Sequence, residues 1–191
     1  LTIEWANRGI NMWTIDEGFI NLVQGTATYD LPAATIDLIE QVIRTGAGST
    51  TLQSDLNLSR ISVSTYSSVP NKLTQGRPIQ VWVDRLRDNP TVTVWPVPDQ
   101  GTAIAPFYIL RYWRLRRIEN AGAGIETPDM NFRFFPALVS GLAYYIATKI
   151  PELMPRIEML KSQYEEQYAL AAGEDREKAS ISLVPRIYGV S

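Results

Sequence analysis

The sequence predicts an α+β fold: a helical bundle or hairpin joined to an antiparallel β-sandwich or small barrel, with an extended C-terminal arm. Three observations carry this expectation. Between Ile10 and Arg117 the chain breaks into roughly eight short runs rich in Val, Ile, Thr and aromatics, separated by Gly, Pro, Asn and Asp as antiparallel strands are. From Asn131 to Glu177 apolar residues recur instead at three- and four-residue steps. After Lys178 both periodicities stop. Residues 1–177 are therefore expected to form one domain, with helices at 1–9 and 131–177 and a β-rich insertion at 10–118, followed by an arm at 178–191.

The first residues, LTIEWANRG, already sit inside a helical pattern. Leu1 and Trp5 share a face, and Gly9 suits a left-handed C-terminal cap. Starting in mid-pattern leads to the expectation of a further stretch of helix upstream. The strand candidates follow as NMWTI, FINLV, TATYDLP, TIDLIEQVIRT, LNLSRIS, IQVWVDR, TVTVWPVP and FYILRYWRLR. The clearest pair is Ile79–Arg85 with Thr91–Trp95, joined by Leu86–Pro90. In the second member Val92 and Val94 alternate with Thr91, Thr93 and Trp95, as expected when one face is buried. Gly46–Thr51 reads as a hairpin tip. Ser62–Val69 reads as a helical turn capped by Ser62 or Ser64 and stopped by Pro70. Asn120–Asp129 carries the chain back to helix, with Asp129 or Asn131 as the N-cap.

The C-terminal third predicts two helices broken near Ile150-Pro151. In the first, Phe135, Leu138, Val139, Leu142, Tyr145 and Ile146 recur with few charges around the barrel. A helix apolar nearly all round must be enclosed, and this one is too short to cross a bilayer. Pro151 disfavours helical geometry at Ile150, and Pro155 fits the first turn of the next helix. There Ile157, Leu160, Tyr164, Tyr168 and Ala171 form one stripe, against Glu158, Lys161, Glu165 and Glu166 elsewhere. The hairpin needs more cover than it carries, and a second subunit is expected to supply some of it. The tail KASISLVPRIYGVS places Ile181, Leu183, Val184, Ile187 and Tyr188 in a proline-broken extended segment. They either pack on their own domain or form a docking arm for a neighbouring chain.

Composition narrows the function. There are 18 basic and 20 acidic residues, no cysteine and no histidine. No thiolate site, disulfide or imidazole base is available, and a metal site would need oxygen ligands alone. A protein that grips nucleic acid by its phosphates needs a basic excess, which this chain lacks. The carboxylate pairs Asp16-Glu17, Glu165-Glu166 and Glu174-Asp175 are adjacent in sequence. Neighbours on a helix point about a hundred degrees apart, so the latter two pairs read as solvated faces and not as acid/base dyads. The Gly46-Ala47-Gly48 and Gly122-Ala123-Gly124 segments lack the third glycine of a dinucleotide loop. No cofactor and no catalysis are expected. Leu110–Glu119 is the most charged strand: Arg114 and Arg116 share a face with Tyr112, and Arg111 and Arg117 share one with Trp113 and Leu115. Such a strand reads first as ion pairing between elements or subunits. A weaker reading has these arginines line a passage that DNA traverses. Trp82 and Trp95 leave open an alternative, a carbohydrate-binding β-sandwich module, although tryptophans in strands more often belong to the core.

The segments EWANRGINMW, GTATYDLP, RISVSTYSSVPNKLTQGRP, Trp82–Arg85, VWPVPD, Leu110–Glu119, FRFFPALVSGLAYYIA and YEEQ…EDREK…LVPR resemble the head–tail adaptor proteins of short-tailed bacteriophages. The likeness runs over the whole chain in the same order. It implies a non-enzymatic virion protein at the head–tail joint, made in the host cytoplasm and away from membranes. Its implied partners are its own copies in a ring of twelve, the portal protein and the tail nozzle protein, with DNA passing through. It also implies that Gly18–Ile118 contains the part facing the nozzle. The docking arm would be Arg176–Ser191, with Arg176, Ile181, Leu183, Val184, Pro185, Arg186, Ile187 and Tyr188 as contacts, and Arg111, Arg114, Arg116 and Arg117 as lumen or interface charges. A conduit of this kind should not hold DNA tightly, which agrees with the balanced charge.

Overall fold

The computed structural model describes residues 1–9, 14–86, 88–118 and 129–174, with Glu174 described in its backbone only. Helix α1 (Thr2–Asn7) is followed by strands β1 (Ile15–Asn21), β2 (Thr28–Asp30), β3 (Thr35–Thr45), β4 (Ser54–Asn57) and β5 (Ser59–Arg60). The short helix α2 (Val63–Ser67), strands β6 (Gln80–Asp84), β7 (Thr91–Trp95) and β8 (Tyr108–Arg116), and helices α3 (Phe135–Ala147) and α4 (Ile157–Glu174) complete the order. Helices and two sheets together make the fold α+β. Two compact units result, Leu1–Trp13 with Asp129–Ser191, and Thr14–Pro128.

The Thr14–Pro128 unit is a sandwich of two four-stranded sheets, ordered β1-β8-β3-β4 and β2-β7-β6-β5. Alternation puts Tyr108, Leu110 and Tyr112 of β8 and Leu38 and Ile43 of β3 into one core with Val81 and Val83 of β6 and Val92 and Val94 of β7. In TIDLIEQVIRT alternation is broken, because register shifts fall between Thr35 and Asp37 and between Leu38 and Glu40. The extra residue lets both Leu38 and Gln41 point inward. Gln41 then spends its side chain on the chain reversal, donating Nε2–H to the Leu58 carbonyl at 3.1 Å.

Three expectations need correction here. LNLSRIS is not one strand: Leu58, buried at 4% exposure, is the pivot where the chain leaves β4 in one sheet for β5 in the other. The β5–β6 pairing is parallel, so the sheets are not purely antiparallel. On β7 Thr93 is buried together with Val92 and Val94, because its hydroxyl finds a partner in Thr28 Oγ1 at 2.9 Å on β2. Helix α2 has the expected cap, the Thr65 N–H donating to Ser62 Oγ at 3.2 Å.

The other unit packs α1 against the α3–α4 hairpin. Trp5, Phe134, Ala137, Tyr164, Tyr168 and Ala171 form its core, and Trp5 is fully buried. Gly9 follows α1 with φ +86°, the left-handed conformation expected of a C-terminal cap. Asn131 caps a 3₁₀ turn, Phe132–Phe134, before α3 begins, and so does not cap the α-helix itself. Ile150 is extended (φ −117°, ψ 109°), as the following proline demands. Pro155 lies inside a 3₁₀ stretch, Pro151–Arg156, and so precedes α4, which begins at Ile157, instead of falling in its first turn. Residues Asn11–Trp13 of NMWTI, the Asn120–Pro128 connection and the whole arm, including Arg176, Ile181, Leu183, Val184, Pro185, Arg186, Ile187 and Tyr188, lie outside the described residues.

Candidate interaction surfaces

Helix α3 buries three of its small residues and leaves several of its large ones bare. Ala137, Gly141 and Ala147 are buried, whereas Val139, Leu142 and Ile146 are 68%, 52% and 50% exposed. Among the described residues the bundle therefore leaves this face of α3 uncovered, where the sequence predicts a hairpin that carries less cover than it needs. The reason lies across the hairpin: a Cβ built on Gly141 would come within 2.8 Å of the Tyr164 ring. Bulky rings at Trp5, Tyr164 and Tyr168 fill the shared core, so the facing side of α3 must be slim. With Phe132 and Phe135, also exposed, the outward residues recur at steps of 3, 4, 3 and 4. That is the spacing of a helix-packing seam without its second helix.

Beside the seam a polar clamp ties α1 to the hairpin. Trp5 Nε1–H donates to the Tyr164 hydroxyl at 2.9 Å, and that hydroxyl donates to Glu4 Oε2 at 3.2 Å. Tyr145 donates to the same oxygen at 2.9 Å. Arg8 reaches Glu165 through two nitrogens at 2.9 and 3.0 Å and Glu4 at 2.6 Å, with its guanidinium 4.5 Å from the Tyr168 ring centre. Hydrogen bonding to Arg8 holds the Glu165 carboxyl below its ordinary value. Burial pushes the Tyr164 hydroxyl up to about 12. The sequence reading missed Glu4 and Arg8, although their i, i+4 spacing is a signal for an ion pair on a helix.

The arginines singled out on β8 are engaged within their own sheet. Arg111 donates to Glu17 across the β1–β8 pair. Arg114 donates to Asp16 Oδ2 at 3.3 Å and Thr35 Oγ1 at 3.1 Å, and Arg116 pairs with the same Asp16 oxygen at 3.0 Å. Arg117 lies beyond the end of β8 and is exposed; its backbone N–H donates to the Ala34 carbonyl at 2.8 Å. The ion-pairing reading thus describes Arg111, Arg114 and Arg116. Asp16 and Glu17, adjacent in sequence, serve different arginines because successive strand residues face opposite sides. Arg44, which sequence reading did not single out, binds Asp55 through Nε at 2.7 Å and Nη2 at 2.5 Å. Hydrogen bonding to Arg44 holds the Asp55 carboxyl below the usual range.

Trp82 and Trp95 are both half-buried and both met by the connection between β5 and β6. Tyr66 stacks on Trp82 with ring centres 5.1 Å apart. Trp95 Nε1–H donates to the Asn71 carbonyl at 3.1 Å. Among the described residues no group of three or more His, Cys, Asp or Glu could hold a metal ion. No described helix is long and apolar enough to cross a membrane.

Comparison with known proteins bears on these surfaces. No curated protein matches the chain. The model of one family, described as SU10 adaptor protein, matches residues 2–186 and so takes in both units. With nearly its full length matched, the chain belongs to the SU10 adaptor protein family, a family of phage head–tail adaptors.

Proposed function

We propose that this chain is a structural virion component that works by assembly and not by catalysis. Copies close into a ring, twelve in number, between the portal and the tail nozzle, and the genome passes through the ring. The observation that carries this reading is the α3 seam, five large apolar residues from Phe132 to Ile146 turned away from their own bundle. A contiguous apolar patch on a monomer marks a site of protein–protein contact, and head-to-tail contacts that close on themselves generate rings. In this reading the arm, with Arg176, Ile181, Leu183, Val184, Pro185, Arg186, Ile187 and Tyr188, docks on the portal and on neighbouring subunits, and Gly18–Ile118 contains the nozzle-facing part. The net charge of −2 and the acid partners of Arg111, Arg114 and Arg116 suit a conduit, because arginines already spent on carboxylates release few counterions from DNA.

The test is assembly. Light scattering and electron microscopy of the chain, alone and mixed with its portal, should yield a closed ring seated on the portal. A chain that stays monomeric and never binds portal would overturn the reading. Deleting 178–191 should weaken portal binding, and unchanged binding would remove the arm from the docking role.

A further inference from the structure

A cavity of about 280 Å³ opens at the β3–β4 end of the β1-β8-β3-β4 sheet, lined by Phe19, Ile109, Arg44, Arg111, Ala47 and Gln53 among others. Strand register brings these residues together. Phe19 stands opposite Arg111, and Ile109 opposite Arg44. Because Arg111 is also opposite Val42, the two arginines are diagonal neighbours on one face of β3 and β8. Each is held on one edge only. Glu17 accepts from an η nitrogen of Arg111, and Asp55 accepts from Nε and Nη2 of Arg44. Arg111 Nε–H is buried and has no acceptor, which costs the desolvation of that donor with nothing in return. Phe19, meanwhile, is 66% exposed beside it.

We propose that this cavity receives a carboxylate carried on a short apolar stem, namely a Glu side chain in an extended peptide of a partner protein. The planar carboxylate sits between the Arg44 and Arg111 guanidiniums, whose forks match its geometry. The stem lies against Phe19 and Ile109. Glu17 and Asp55 already neutralise the two guanidiniums, so what the site offers a carboxylate is unspent hydrogen-bond donors, the Arg111 Nε–H among them, and not surplus charge. A phosphate chain, by contrast, needs a cationic excess. The proposal concerns a face of the sandwich and stands whether or not the chain forms a ring.

The experiment is a titration of ¹⁵N-labelled chain, reading the Nε–H resonances of Arg44 and Arg111. Acetyl-Glu-Leu-amide should shift the Arg111 signal saturably, with acetyl-Gln-Leu-amide binding at least about tenfold more weakly because it offers a neutral acceptor. Gln53→Glu puts a competing carboxylate at the exposed mouth and should weaken the Glu peptide about tenfold while shifting the same resonance. Arg111→Lys, which keeps charge but loses the fork, should weaken the Glu peptide about tenfold. Equal binding of the two peptides, insensitivity to Gln53→Glu, or a stronger response to inorganic phosphate or single-stranded DNA would each overturn the proposal. Gln53→Glu changes an exposed residue, so the test survives if Arg111→Lys fails to fold.

Discussion

Trp5 and Tyr164, 159 positions apart, meet in a buried hydrogen bond of 2.9 Å that joins α1 to the far helix of the hairpin. The same hydroxyl donates to Glu4 at 3.2 Å, so one phenol satisfies the indole and orients the carboxylate beside it. Tyr164→Phe should therefore destabilise the isolated chain by about 1–3 kcal/mol, because it strands the Trp5 N–H in a dry core. Trp5→Ala should cost more, about 3–5 kcal/mol, through the cavity it leaves. Urea unfolding followed by circular dichroism measures both.

High pH should probe the same phenol. In the unfolded chain Tyr164 ionises near 10, whereas burial, with the charge of Glu4 adding to it, raises it to about 12 in the fold. The folded state keeps the proton longer. The contribution of Tyr164 is thus complete below about pH 10 and is lost as pH rises towards 12. Unfolding free energies measured across that window should fall for the parent chain and fall less steeply for Tyr164→Phe.

Low pH should probe Glu165. Its carboxyl lies below the ordinary value of 4.5, chiefly through the hydrogen bond from Arg8. Its contribution is present above that value and disappears as pH drops through the lower folded one. Glu165→Gln should flatten the acid limb of the stability profile, and added salt should flatten it in the parent as well, since the pair is partly exposed.

The tight approach of α3 to α4 makes opposite predictions for two helical glycines. Gly141→Ala gains about 1 kcal/mol of helix propensity, but the new methyl meets the Tyr164 ring at 2.8 Å and Leu1 at 2.7 Å. Overpacking of this kind costs about 1–3 kcal/mol, so net destabilisation or neutrality is expected. Gly173→Ala has nothing within 4 Å and should stabilise by up to about 1 kcal/mol. Thermal melts of the two variants decide the comparison.

On the outward side of α3, Val139→Lys combined with Leu142→Lys should separate folding from assembly. Both positions are exposed, so each change should move the stability of the isolated chain by no more than about 0.5 kcal/mol. In the ring proposed above, removing two apolar knobs from the middle of the seam should weaken self-association at least about tenfold. Sedimentation at several concentrations reads the association, and denaturant unfolding reads the fold.

Local pattern carried much of this structure. Val92 and Val94 point inward as their alternation demands, Gly9 takes a positive φ, and the chain turns at Ile150 before Pro151. Where two elements compete for a residue, pattern failed. Leu58 belongs to neither flanking strand because the two sheets pull the chain apart there. The bulged segment of β3 breaks alternation in a way that only its pairing with β8 explains.

The sequence by itself determined the class of the fold, the places where strands give way to helices, and the lack of histidine and cysteine chemistry, because these follow from period, punctuation and composition. Tertiary structure alone decided which side of α3 is bare. A helix apolar all round has no preferred face until aromatic rings on α1 and α4 claim the slim one. It also decided that Arg44 and Arg111 share a cavity. Their 67-residue separation closes only when β3 pairs with β8, and no run of local sequence encodes a register between strands so far apart.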